Sequence, residues 1–268
     1  MSYLEKIADF KRKEVAERMA LTPIKKLEQS IYFPAEGVSL REYLLREDKS
    51  GVIAEFKKAS PSRGVFNKYA NPMKVCLGYM QAGASALSVL TDQNYFAGSN
   101  EDLTTAREWN YCPILRKDFT VNEYQIIEAK SIGADVVLLI ADILSEEEIK
   151  SFTKLSHDLG MEVILEIHDI TELPSNLDQI DVVGVNARSL KELKIIPDQH
   201  ERIKAVLPSG IITIAESGIE SPQQAVKLKS MGYQGFLIGS HFMLDSDPVG
   251  KCRQFIEEME NMDKGVFA

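Results

Sequence analysis

Four times in this chain a helix-like segment ends at a glycine and an apolar strand follows directly. The instances are AGASALSVL at Gly83, SIGADVVLLI at Gly133, DLGMEVILEI at Gly160 and SMGYQGFLIG at Gly232. The glycines lie 50, 27 and 72 residues apart, near multiples of the roughly 25 residues that one βα unit takes. Glycine just past a helix end supplies the left-handed cap, so the repeat has a mechanical cause. With the other apolar runs added, eight strands are predicted, starting near Val52, Ser85, Pro113, Asp135, Glu162, Val182, Ile211 and Gly235. Most are continuous apolar stretches, the pattern of parallel strands covered on both faces.

Helices are predicted between the strands over Asn71–Ala82, Asn100–Trp109, Asn122–Ser131, Ser145–Leu159, Asp169–Leu177, Asp198–Val206, Ser221–Met231 and Asp247–Met259. Ser145 with Glu148 forms a capping-box pattern, and Ser221-Pro222 an N-cap followed by proline at the first helical position. Eight βα units over about 215 residues fit an α/β fold of one (β/α)8 TIM barrel better than an open doubly wound sheet. No GxGxxG follows any strand, which weakens a dinucleotide-binding alternative. Residues 49–268 form the expected barrel and residues 1–48 a helical extension, one domain overall. Leu4, Ile7, Ala8, Val15 and Met19 make a helical stripe, expected to plug one end of the barrel.

At 268 residues and 44% hydrophobic, the chain has ample material for a core. Its net charge of −9 argues against nonspecific binding to nucleic acid or acidic membranes, but leaves room for a local basic pocket. No uncharged apolar run approaches the ~18 residues of a membrane helix. The N-terminus lacks the apolar core of a signal peptide. Cys76, Cys112 and Cys252 are scattered and odd in number, which predicts free thiols and a cytoplasmic setting.

In such a barrel the chemistry gathers at the C-terminal strand ends. Those ends carry Glu55 and Lys57, then Lys117, Glu166, Asn186 and Arg188, Ser217-Gly218, and Gly239-Ser240. The last two glycine loops follow strands seven and eight, the usual phosphate cradle. Glu55, Lys117 and Glu166 follow apolar residues without a turn, which places them at the top of the interior. A lysine there, crowded by Arg116 or Lys57, is expected to have a lowered pKa and to donate a proton. Either carboxylate can act as base or hold a lysine charged. His157, His200 and His241 have no partner at metal-ligand spacing, and His168 is expected at the surface or a helix start, so no metal is predicted.

IAEFKKASPSRG, SVLTDQNYFAGS, PILRKDFTVNEYQI, GADVVLLI, LEIHD, VGVNARSL, IAESGI and GFLIGS closely resemble the indole-3-glycerol phosphate synthase family, over about Tyr3 to Met243. The resemblance implies a phosphorylated small-molecule substrate, 1-(2-carboxyphenylamino)-1-deoxyribulose 5-phosphate, converted to indole-3-glycerol phosphate, carbon dioxide and water without a cofactor. It implies Lys117 as general acid, Glu166 in proton transfer during dehydration, and Lys57 paired with Glu55 as second catalytic lysine. Asn186 and Arg188 match substrate contacts, Ser217, Gly218, Gly239 and Ser240 phosphate or substrate contacts, and Ser60 and Phe119 pocket-lining positions. Ala187 stands where asparagine or serine is common, and Arg63 where lysine is. The family likeness also places the N-terminal segment near the mouth of the site, and the chain ends too soon after the eighth helix for a fused second barrel. Contact with other enzymes of the pathway is left open. The rival readings are a Schiff-base aldolase using Lys117 as nucleophile, and a noncatalytic barrel subunit.

Overall fold

The computed structural model describes residues 3–189 and 193–266. Three helices come first: α1 (Tyr3–Leu21), α2 (Ile24–Leu27) and α3 (Leu40–Leu45). Eight strands then build the core: β1 (Val52–Phe56), β2 (Ala86–Leu90), β3 (Ile114–Lys117), β4 (Val136–Ile140), β5 (Glu162–Ile167), β6 (Val182–Asn186), β7 (Thr213–Glu216) and β8 (Gly235–Ile238). All pair in parallel and close into a barrel, with Ala54 of β1 opposite both Leu87 of β2 and Ile238 of β8. Each strand starts within two residues of its predicted position. No helix among the described residues is long and apolar enough to cross a membrane.

Around the barrel lie α4 (Pro72–Gln81), α5 (Gln93–Phe96), α6 (Asn100–Glu108), α7 (Glu123–Ser131), α8 (Glu146–Asp158), α9 (Gln199–Lys204), α10 (Pro222–Ser230), α11 (Ser240–Met243) and α12 (Pro248–Val266). The capping boxes form at Ser145 with Glu148 and at Ser221 with Gln224. The helix expected over Asp169–Leu177 does not form; only a single 3₁₀ turn, Ile170–Glu172, stands there. Asp169 turns its carboxylate onto the Thr171 N–H at 3.0 Å, and Pro174 holds the preceding Leu173 in extended conformation, which stops propagation.

Strand parity decides what reaches the site, because residues two apart share a face. Ile53, Leu115, Ile164, Val182, Ile214 and Leu237 belong to the buried cluster inside the barrel. Phe56, Val89, Val163, Val183, Ala215 and Phe236 belong to the cluster between strands and helices. Two residues past the interior set, at the upper rim, come Glu55, Lys117, Glu166, Glu216 and Gly239.

The extension reaches both ends of the barrel rather than plugging one. From α1, Leu4 and Ile7 pack into the interior cluster beside Phe119, while Met19 of the expected stripe is exposed. Lys11 of the same helix is buried 2.6 Å from Asp92 and 3.0 Å from Asp118, next to Lys117 in the chain. At the opposite end, Leu40 and Leu44 of α3 join the interior cluster. There the Val38 N–H donates to Asp135 at 2.9 Å and the Ser39 hydroxyl to Glu162 at 2.5 Å, residues at the starts of β4 and β5.

Candidate active site

One pocket opens at the C-terminal rim, and every candidate site residue lines it: Glu55 on β1 with Lys57 and Ser60 after it, Lys117 on β3 with Phe119 after it, Glu166 on β5, Asn186 on β6 with Arg188 after it, Ser217 and Gly218 after β7, Gly239 and Ser240 after β8. Lys57 bonds Glu55 at 2.8 Å, and Ser88 on β2 donates to the other carboxylate oxygen at 3.4 Å. A side chain at position 239 would overlap Glu55 Oε1, so Gly239 makes room for that carboxylate. Ser217 and Gly218 both have positive φ, 66° and 74°, an unusual conformation for serine that suits a site held in shape by its surroundings.

At the centre, Lys117 Nζ lies 2.5 Å from Glu166 Oε2 and 2.6 Å from Glu216 Oε2. Asn186 donates its amide to Glu166 Oε1 at 3.0 Å and accepts from the Arg188 N–H at 2.9 Å. Gly184 on β6 faces Glu216, whose Oε1 occupies the space a methyl group would need. Burial alone would lower the Lys117 pKa, but Glu166, Glu216 and Glu55 outweigh it and raise it. The expectation of a lowered value is therefore overturned. Arg116 does not crowd Lys117: it points outward to the Gln125 carbonyl at 2.7 Å and Glu128 at 2.5 Å, and Lys57 is taken by Glu55. Lys117 rests as an ammonium.

The two carboxylates separate in proton affinity. Burial pushes both up, yet Lys117, His168 and the bonds from Lys117 and Asn186 pull Glu166 down to about 2. Glu216 is pushed up to about 7 by burial and by the Glu166 charge, against the pull of Lys117. At low occupancy the pair's single proton therefore sits on Glu216.

The walls are aromatic and cationic. Phe119 packs against Phe96 at 6.2 Å and edge-on to Tyr95 at 6.4 Å. Arg63 and Arg188 both line the pocket, and burial, then the Arg63 charge, lowers the Arg188 pKa. The segment after β1 is a hairpin, Ala59–Ser60 paired with Gly64–Val65, which carries Arg63 at its turn. His168 is not at the surface: its side chain is 11% exposed and lies behind Glu166.

Sequence reasoning missed Glu216 and Phe96. AESGI is noticed for its serine and glycine, yet the parity that places Glu55 inward two residues past Ile53 also places Glu216 inward two past Ile214. Phe96 lies within SVLTDQNYFAGS but is set by a four-residue helix, α5, too short to show periodicity.

A closed parallel barrel that holds one ammonium between two carboxylates, beside glycine loops after β7 and β8, defines an acid–base enzyme of the (β/α)8 class. A model of the indole-3-glycerol phosphate synthase family matches residues 4–255. The indole-3-glycerol phosphate synthase of Bacteroides thetaiotaomicron is 39% identical over 257 residues, covering 96% of this chain and 98% of that protein. That of Carboxydothermus hydrogenoformans is 39% identical, covering 95% and 99%. The fold alone is shared with thiamine phosphate pyrophosphorylase from Pyrococcus furiosus, at TM-score 0.59 and 15% identity over 86% of this chain and 100% of the other. The chain belongs to the indole-3-glycerol phosphate synthase family, carbon–carbon lyases of tryptophan biosynthesis.

Proposed function

We propose that this pocket closes the indole ring of 1-(2-carboxyphenylamino)-1-deoxyribulose 5-phosphate, releasing carbon dioxide and water. The observation that carries the residue assignment is the Lys117 ammonium held at 2.5 and 2.6 Å by Glu166 and Glu216. The aromatic carbon bearing the carboxylate attacks the ribulose C2 carbonyl, and Lys117 delivers a proton to the oxygen as it becomes an alkoxide. Loss of carbon dioxide restores the benzene ring. Expelling the C2 hydroxyl as water then needs an acid at that oxygen and a base for the proton lost from the carbon next to nitrogen. Glu166, kept ionised, is the base. Lys57, oriented by Glu55, is the second lysine within reach of these steps. Asn186 fixes the Glu166 carboxylate.

The remaining residues bind. Phe119 stacks on the anthranilate ring, and Ser60 lines its side of the pocket. Arg188 takes the substrate's carboxylate and hydroxyl region. Ser217, Gly218, Gly239 and Ser240 hold the phosphate. Residues 1–48 and 49–268 act as one folded unit, and three buried free thiols suit a reducing cytoplasm. Lys117→Met is expected to cut kcat by on the order of 10²–10⁴-fold with a much smaller loss of substrate affinity, read from indoleglycerol phosphate fluorescence. Unchanged turnover would remove the general-acid role. Borohydride trapping of a substrate adduct on Lys117 would favour a Schiff-base aldolase instead.

A further inference from the structure

Both ring nitrogens of His168 are shut off from solvent and form no close hydrogen bond. Each faces a carboxylate: Nε2 lies 3.4 Å from Glu166 Oε1 and Nδ1 lies 3.7 Å from Glu172 Oε2. A neutral imidazole has one N–H and one lone pair, so one tautomer would aim its lone pair at the buried Glu166 and the other at the half-buried Glu172; only the imidazolium presents N–H to both. The backbone fixes this arrangement. The His168 N–H donates to Glu172 Oε2 at 2.8 Å, and the Gln199 amide donates to the His168 carbonyl. The 3₁₀ turn that replaces the expected helix, Ile170–Glu172, folds Glu172 back onto the ring.

The charges around the ring make the same demand. Glu166 on β5 and Glu216 on β7 are buried against one cation, Lys117 on β3. Glu172 is on the solvent side of the ring, 17% exposed. Asp169 turns away to Thr171, and His200 on α9 spends its Nε2 on the Glu216 carbonyl at 3.0 Å. His168 is thus the second positive charge available to two interior carboxylates. We infer that His168 is a positioning residue, held as an imidazolium between Glu172 and Glu166, which keeps Glu166 ionised as the base of the site. Burial works against a charged ring, but Glu172, Glu166 and Glu216 outweigh it and raise its pKa. The inference rests on the reading of Glu166 as base.

Two measurements test it. His168→Asn and His168→Gln remove the charge, and Gln keeps an N–H donor. Both are expected to move the acid limb of the kcat–pH profile upward by roughly one unit, with KM little changed. Glu172→Gln, which leaves the ring but weakens its hold on a proton, should move the limb the same way by less. A uniform drop in kcat with an unmoved limb would show a merely structural histidine and overturn the inference. The second measurement needs no substrate: ring ¹⁵N NMR on the wild-type protein, where only four histidines are present. His168 should have both nitrogens protonated at pH 7, and a neutral ring there overturns the inference even if the variants fail to fold. A charged ring in a wild type whose activity has no acid limb would instead remove the reading of Glu166, and this inference with it.

Discussion

Burying Glu216 beside Glu166 sets two carboxylates against one lysine, and Lys117 cannot neutralise both. Glu216 absorbs the conflict, its pKa pushed up to about 7. Between the ordinary carboxylate range and that value, the folded protein holds a proton that the unfolded chain has released. Folding stability therefore falls as pH rises through this window. Glu216→Gln should consequently be more stable than wild type at pH 8, by up to about 3 kcal/mol, and no different at pH 4, as read by urea unfolding at the two pH values. The same variant should lose activity, the usual trade at a strained functional site. Gly184→Ala makes a complementary test: its methyl group has no room beside Glu216 Oε1, so Glu216 must shift off Lys117. A fall in kcat exceeding the fall in stability is expected. The strand ends make Glu55, Lys117 and Glu166 legible in the sequence once the barrel is recognised, while Glu216, which obeys the same parity, is passed over for the serine and glycine beside it. The sense of the Lys117 shift is not legible, because it depends on which side chains cross the barrel from β5 and β7.

The elements differ in how much of them a sequence can reveal. The capped helices α8 and α10 carry local signals, Ser145 with Glu148 and Ser221 with Gln224, and appear where those signals lie. The helix after β5 fails because Asp169 and Pro174 compete locally, and the hairpin at Ala59–Val65 forms without alternation to announce it. The two ends of the extension make opposite predictions. Lys11 on α1 is buried among Asp92, Asp118 and Glu14. Lys11→Met would leave buried Asp92 without its cation and Asp118 with Arg116 alone, at a cost of about 3–5 kcal/mol; it should also lower kcat, since Asp118 adjoins Lys117. Ser39 caps α3 by accepting from the Glu42 N–H, and donates to Glu162 at the far end of the barrel. Ser39→Ala should cost about 1–2 kcal/mol and leave kcat unchanged. Denaturant midpoints and kcat on the same samples separate the two cases.

For the whole molecule the question is whether the barrel stands without its extension. Leu4, Ile7, Leu40 and Leu44 are all nearly inaccessible and share a cluster with interior residues of the barrel's strands. Burying each is worth about 1.5–3 kcal/mol, so the four together approach the whole net stability of a domain, about 5–15 kcal/mol. The extension is therefore expected to unfold with the barrel as one cooperative unit rather than to melt first. Trp109, the only tryptophan, follows α6 on the barrel and reports barrel unfolding through its fluorescence. Position 17 on α1 is exposed, and the native cysteines are buried, so a dye on Glu17→Cys reports the extension selectively. Both probes should give one urea midpoint and one slope, because losing α1 uncovers the interior layer that supports Lys117 and Glu166. An earlier transition at position 17, with the Trp109 signal intact, would mean that the interior cluster closes without α1 and would divide the chain near residue 48.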